Sequence, residues 1–413
     1  MADSSGSKLT GILPLVGPIF LALLAVTGVF ARGLVNGAYA VLFLWGLIYL
    51  VTSKNLWWRK VEPLPGKYLK GLGLYFLALL LTTLTGSEYG RGFFYIGNIA
   101  YLLACLPLTW LALSQYPRLI RYMAPLYGLG LIVAGTMTFQ QAGYCLDCVR
   151  AKASLGIIEL GAVLGQLPPL MIGAWAMAVE EKNRTKIFFF SVVLVFSYAA
   201  LINSCSRITL LTTPVLSLLM LWAHRNCFRP LFKLGLVVLM IAAAVGVLSD
   251  RRIVGRFQEM SVKQGNYNND VRFNHWKQGL KVFLENPILG VGPRAIPNAP
   301  PLIHPDFPLD PNRPRSKYYH AHQVFLTVGA ESGVVGLAGF FALHLAPLLL
   351  LWPSRKSQEP MVRFWAWAAA VVALQLFFNG LTDSIFSLKP LMYVYWTVTG
   401  TALWVCSRAQ TGT

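Results

Sequence analysis

The chain has 413 residues, of which 56% are hydrophobic and only 12% charged, and its formal net charge at pH 7 is +19. Soluble domains carry roughly 25% charged residues, so this composition and a mean hydropathy of +0.57 exclude an ordinary water-soluble globule and point to an integral membrane protein. The excess of positive charge does not indicate nucleic-acid binding, because the basic residues are spread between apolar runs rather than gathered in one stripe.

Apolar runs long enough to cross ~30 Å of hydrocarbon as helices recur along the whole chain. In chain order they predict spans near 11–31, 36–52, 70–87, 93–113, 120–139, 154–178, 186–204, 207–223, 232–248, 320–352, 363–382 and 390–406. The expected fold is therefore all-α and polytopic, with about twelve transmembrane helices. The first run is longer than the apolar core of a signal peptide and lacks a small-residue cleavage site, so it reads as a retained span. Both termini then face the same side.

Basic residues decide which side. Lys8, Lys54, Arg59, Lys60, Lys67, Lys70, Arg118, Arg121, Lys182, Arg184, Lys186, Arg225, Arg229, Lys233, Arg355, Lys356, Arg363 and Arg408 fall on one side. The opposite short loops hold Arg32, Arg91, Arg150, Lys152 and Lys389. The positive-inside rule puts both termini in the cytoplasm. This divides the chain into spans 1–9 over residues 1–248, an exocytoplasmic loop or cap over 249–319, and spans 10–12 over 320–413. The segment LWWRKVEPLPGKYLK, 56–70, reads as an interfacial anchor on the cytoplasmic side.

The cap is the sizeable polar region of the chain. Its part NNDVRFNHWKQGLKVFLENPILGVGP, 268–293, predicts one helix with an apolar stripe of Trp276, Leu280, Phe283 and Leu284, a start capped by Asn269 or Asp270, and an end at Pro287. Gly290 and Gly292 then allow a tight turn. The stretch PNAPPLIHPDFPLDPNRPR, 297–315, should be irregular.

Polar residues near hydrocarbon are costly and usually functional. Arg207 opens a span, Glu159 and Asp383 lie near outer helix ends, Glu88 and Arg91 sit in an outer loop, and His320 and His322 stand at the outer mouth of the tenth span. His344, deep in that span, is expected to hydrogen-bond a neighbouring helix. This outer clustering argues against a secondary transporter, which binds its substrate near the bilayer midplane, often between repeated halves.

Three stretches carry a resemblance: SRITLLTTPVLSLLML (206–221), VRFNHWKQGLKVFLENPILGVG (271–292) and HQVFLTVGAESGVVGL (322–337). Together they resemble the successive signatures of the O-antigen ligase and O-antigen polymerase superfamily. The shared pattern is a Ser-Arg opening a span, an Arg followed four residues later by Trp and then by Pro-x-x-Gly-x-Gly, and a His-polar pair followed by Leu and Glu-x-Gly-x-x-Gly. Gln323 stands where Asn is the commoner partner of the histidine. The resemblance implies a GT-C-like membrane glycosyltransferase with a partly helical periplasmic cap between spans 9 and 10. It would work in the inner membrane of a Gram-negative bacterium, transferring a glycan from undecaprenyl diphosphate at the periplasmic face. A ligase would pass the glycan to the lipid A-core in lipopolysaccharide biosynthesis; the alternatives are a polymerase and a protein O-oligosaccharyltransferase. Oligosaccharyltransferases continue into a further C-terminal region, whereas this sequence stops at Thr413, which favours the ligase.

Chemistry assigns the roles. A departing lipid diphosphate needs positive charge, and arginine supplies bidentate donors that stay ionised near hydrocarbon. Arg207 and Arg272 are the candidates. The acceptor hydroxyl must lose a proton as the bond forms, and a neutral His322 could take it. Residues two apart on a helix point about 200° apart, so His320 and His322 are not expected to share a cavity. Gln323, His320, Trp276 and Glu331 are expected to support the site; Glu331, roughly 13 Å along an ideal helix from His322, cannot orient it directly. Gly329, Gly333, Gly336 and Gly339 are expected to permit close helix approach, and His275 and His304 to belong to the loop or cap. The family signature implies direct displacement with inversion. No cofactor and no nucleic-acid partner are expected, only the lipid-linked donor, the acceptor and membrane lipids. No metal is expected either, since the first outer loop, ARGLVNG, contains no acid and no Asp-x-Asp pair occurs. Cys145 and Cys148, in GYCLDCVR, could pair in an oxidising compartment or stay free.

Overall fold

In lipid a backbone must satisfy its own polar groups, so long apolar runs become helices. The computed structural model describes residues 4–52, 63–143, 153–225, 267–296 and 320–411, and regular structure there is helical. The helices are α1 (Ser4–Thr27), α2 (Arg32–Thr52), α3 (Gly66–Thr85), α4 (Tyr89–Leu103), α5 (Cys105–Gln115), α6 (Ile120–Gly143), α7 (Ile157–Glu180), α8 (Arg184–Ser204), α9 (Arg207–Ala223), α10 (Tyr267–Glu285), α11 (Val324–Leu351), α12 (Pro360–Gly380) and α13 (Lys389–Thr411). Eight stretches among the described residues are long and apolar enough to span a bilayer, and α4 with α5 forms one of them. Pro14–Thr27 and α9 are shorter apolar helices. The protein is an all-α, multi-pass membrane protein. The span predicted at 232–248, Cys145, Cys148 and His304 lie outside the described residues, as does the first part, 56–62, of the segment 56–70.

The core is built around α7, α12 and α13. Phe364, Trp365, Tyr395 and Trp396 are fully or almost fully buried there, and such rings contribute most of the apolar area a helix pair can bury. A polar strand of contacts runs through this core. Thr212 of α9 donates to Gln375 of α12 at 2.9 Å, Gln375 donates to Asn379 at 3.1 Å, and Gln166 of α7 donates to the Val372 carbonyl at 3.5 Å. Hydrogen bonds of this kind join helices where lipid provides no hydrophobic drive between them. His344 likewise bonds Tyr395 of α13 at 3.0 Å, as its depth in the span predicts.

At the end where α7 and α9 finish, Arg363 donates from Nη2 to both carboxylate oxygens of Glu180 at 2.6 Å, while His224 Nδ1 lies 3.3 Å from the same carboxylate. At the opposite end α7 begins. There Glu159 accepts from the Gly156 amide at 2.9 Å and lies 3.6 Å from Arg32, so this acid caps a helix.

The glycine-rich part of α11 does two different things. Gly339 packs on α3, where a Cβ would come within 3.0 Å of the Tyr75 Cα, so here the expected close approach occurs. Gly333 instead breaks the helix, with φ +59° and ψ −161°. A break frees the amides of Val334 and Val335 and the carbonyls of Ala330 and Glu331, which would pair in a continuous helix. The loop 287–292 takes all four: Val334 N donates to Pro287 O at 2.8 Å, Val335 N to Ile288 O at 3.3 Å, Val291 N to Ala330 O at 3.0 Å and Gly292 N to Glu331 O at 2.9 Å. Gly290, with φ +67°, sits so close that a Cβ would meet the Glu331 carbonyl carbon at 2.4 Å. The Pro-x-x-Gly-x-Gly and Glu-x-Gly-x-x-Gly motifs are thus two halves of one joint.

Candidate functional site around His322

The joint fixes the two elements that carry the site. α10 reaches the loop at its C-terminal end, and its Gly279 leaves room for Ala321, whose Cβ would lie 2.6 Å from a Cβ at that glycine. The turn 320–323 therefore packs on α10. Gln323 caps α11 by accepting from the Leu326 amide at 2.5 Å. An amide oxygen at an N-cap satisfies a donor the helix leaves open, and Asn does this better than most residues. The side-chain amide at this position thus has a local structural role.

Because α11 starts only at Val324, His320 and His322 precede it, and the 200° argument does not apply. His322 takes a left-handed conformation, φ +50°, and its ring lies 4.3 Å from His320, centroid to centroid, and 4.8 Å from His275. The expectation that the two histidines face different cavities is corrected: three histidines form one group. His275 is buried on α10 against His322, so it belongs to the site as well as to the cap. The His322 amide donates to His320 Nδ1 at 3.4 Å, and Trp276 Nε1 donates to the His322 carbonyl at 3.3 Å.

Asp383 completes the group. It follows α12 and places Oδ1 3.3 Å from His322 Nδ1, while accepting from the Ser384 amide at 2.8 Å. Burial disfavours its charge, but the hydrogen bond and charge of His322 outweigh this and hold its carboxyl below the usual carboxylate range. Burial, with repulsion from His322, pushes His320 below the usual imidazole value, and burial with repulsion from His322 and His320 pushes His275 down to about 4. The neighbours of His322 are thus a carboxylate and two imidazoles held neutral. His322 keeps 30% of its side chain exposed, so its other ring nitrogen can meet a substrate.

A cavity of about 40 Å³ adjoins His320, lined in part by Tyr75, Tyr95, Arg294, Thr327, Glu331 and Ser384. Thr327 links the two loops, donating to Gln323 O at 2.8 Å and lying 2.8 Å from Ser384 Oγ. Glu331 is 5% exposed and interacts electrostatically with Arg294.

The two candidate arginines stand differently. Arg272 occupies α10 one turn before His275 and Trp276; its side chain lies outside the described residues. Asn269 and Asp270 fall within the described helix, which begins at Tyr267, so neither caps it. Arg207 is the first residue of α9 and does not line the cavity. A cation there opposes the helix dipole, so helix stability does not explain it.

Ligand atoms of His320, His322 and Asp383 lie within 4.8 Å of one another, and this group could hold a cation. The sequence reading passed over Asp383 as one polar residue at a helix end and did not single out Arg294. The signals present were an acid in a short outer loop, NGLTDSIF, and a cation directly after Pro-x-x-Gly-x-Gly-Pro.

Residues 192–341 match the family model described as O-antigen ligase. The matched region runs from α8 into α11 and contains Arg207, Arg272, His322 and Glu331, while Asp383 lies beyond it. No curated protein matches the chain.

Proposed function

We propose that this protein, a member of the O-antigen ligase/polymerase family of glycosyltransferase-like enzymes by its match over residues 192–341, is an O-antigen ligase. It transfers a glycan from undecaprenyl diphosphate to the lipid A-core at the periplasmic face of the inner membrane. The observation that carries the mechanism is the contact of His322 Nδ1 with Asp383 at 3.3 Å. A proton on Nδ1 donated to the carboxylate leaves the lone pair of Nε2 for the acceptor hydroxyl. As Nε2 takes that proton, the acceptor oxygen bonds the anomeric carbon. The carbon–oxygen bond to the diphosphate breaks on the opposite face, and the lipid diphosphate leaves with the electron pair. Asp383 steadies the imidazolium so formed, as a half-buried carboxylate can.

Arg207 and Arg272 neutralise the leaving group. The open amides at the start of α9 add to this, since helix N-termini favour phosphates. The reaction is metal-independent in this reading, because a cation held at His322 Nδ1 between His320 and Asp383 would leave the ring proton on Nε2 and remove the lone pair the base needs.

The test is glycan transfer by the purified chain from a polyprenyl-diphosphate-linked donor to lipid A-core, with chelator present. The expected result is transfer that survives chelation and falls to background in His322→Ala, with donor binding retained. Loss of activity on chelation, restored by a divalent cation, would overturn the base role. Chain growth on donor alone, with nothing passed to lipid A-core, would make the protein a polymerase.

A further inference from the structure

The glycan-transfer chemistry does not use the buried acid Glu331, and unlike Glu159 it does not cap a helix. Glu331 is 5% exposed, and its Oε1 has no hydrogen-bond partner among the described residues. An unsatisfied buried carboxylate oxygen is costly and requires an explanation. It lines the cavity beside His320 together with Arg294, Tyr95, Thr327 and Ser384. Arg294 is held with φ +64°, a conformation that side chains other than glycine adopt rarely and at a cost. Its guanidinium lies 5.4 Å from the centroid of the Tyr95 ring.

Charge decides which ligand fits. A diphosphate would find Arg294 as the one Arg or Lys among the described residues that line the cavity, and that residue's backbone and charge already act on Glu331. A neutral polyhydroxyl ligand suits the pair better, because its hydroxyls can donate to the carboxylate and accept from the guanidinium. The volume of about 40 Å³ is too small for a sugar ring but admits a hydroxyl-bearing edge. The cavity lies beside His320, whose ring centroid is 4.3 Å from that of His322, so such an edge would sit near the base.

We propose that Glu331 and Arg294 form an acceptor subsite that grips hydroxyl groups of the acceptor sugar and presents a neighbouring hydroxyl to His322. The identity of the sugar as acceptor rests on the glycan-transfer reading; the subsite itself is a saccharide-binding site and is testable without turnover.

The probe is core oligosaccharide freed from lipid A by mild acid hydrolysis. Its binding to the full chain in detergent is measured beside steady-state transfer. Glu331→Gln keeps the shape and removes the charge. It is expected to weaken oligosaccharide binding and raise the acceptor KM by roughly tenfold or more, as for loss of a charge-assisted hydrogen bond, with the donor KM within about twofold of wild type. Arg294→Gln should act in the same direction, and it decides the matter if the Glu331 variant does not give a folded chain. A purely packing role would not separate the two KM values. Wild-type oligosaccharide affinity in the variants, no binding to wild type, or a rise in donor KM instead would each overturn the subsite. Binding lost in the variants, from a wild-type chain that binds the oligosaccharide but transfers no glycan, would uphold the subsite and overturn the transfer reading.

Discussion

His322 is held from three sides: Trp276 bonds its carbonyl, His320 accepts from its amide, and Asp383 meets its ring. The ring contact matters most for chemistry because it selects the tautomer. Asp383→Asn keeps the size but removes the charge that steadies a protonated ring. Its expected effect is a fall in kcat of about 10²-fold with KM for donor and acceptor nearly unchanged, checked by steady-state transfer kinetics. A parallel rise in both KM values with unchanged kcat would sink this positioning role. The motif made His322 legible in the sequence, along with Trp276 and Gln323 as its companions. The sharing of one site by His320 and His322 was not legible. It depends on α11 starting at Val324 and on a left-handed His322, and neither is written in composition or periodicity.

At the scale of elements, hydropathy foretold an all-α, multi-pass architecture, because length and apolar content are what a bilayer selects; of the twelve spans expected, eight stretches among the described residues are long and apolar enough to cross. Hydropathy could not place the break in α11. A run of glycines at small-residue spacing suggests close packing, and Gly339 does pack, but Gly333 serves a backbone geometry open essentially to glycine alone. Gly333→Ala would also drive its Cβ to 2.2 Å from the Ile288 carbonyl oxygen. The expected cost is roughly 2–5 kcal/mol, seen as a lower melting temperature of the purified protein and as loss of transfer. Gly37, which has open space around its Cβ position, provides the control: Gly37→Ala should leave the melting temperature unchanged or slightly raised.

Across the whole molecule, the two ends of the bundle carry different chemistry. The His322 end gathers imidazoles, a carboxylate and the cavity, while the other end is tied by Arg363, Glu180 and His224. Arg363 and Glu180 keep only 13% and 10% of their side chains exposed, so removing one partner leaves a nearly buried charge. Arg363→Met is expected to lower stability by about 3 kcal/mol, measured by thermal unfolding in detergent, with both substrate KM values unchanged. A change in KM without a change in stability would show that the two ends are coupled. Composition and hydropathy made the helical, multi-pass architecture readable. The partners in the polar ties between helices were not readable, since they lie far apart in sequence; for His344 the tie was legible but Tyr395 as its partner was not.

The broken helix α11 also bears on how the protein is made. Its four freed backbone groups find partners in 287–292, which a ribosome delivers before α11 emerges. Gly86, whose Cβ would come within 2.7 Å of the Gly292 Cα, is delivered earlier still. The receiving dock for the break can therefore be assembled before the broken segment enters the bilayer, and α11 need not wait there with open amides and carbonyls. Reversing that order, as in a rearranged gene that encodes α11 ahead of the dock, would release a lipid-exposed gap to the quality-control machinery of the membrane.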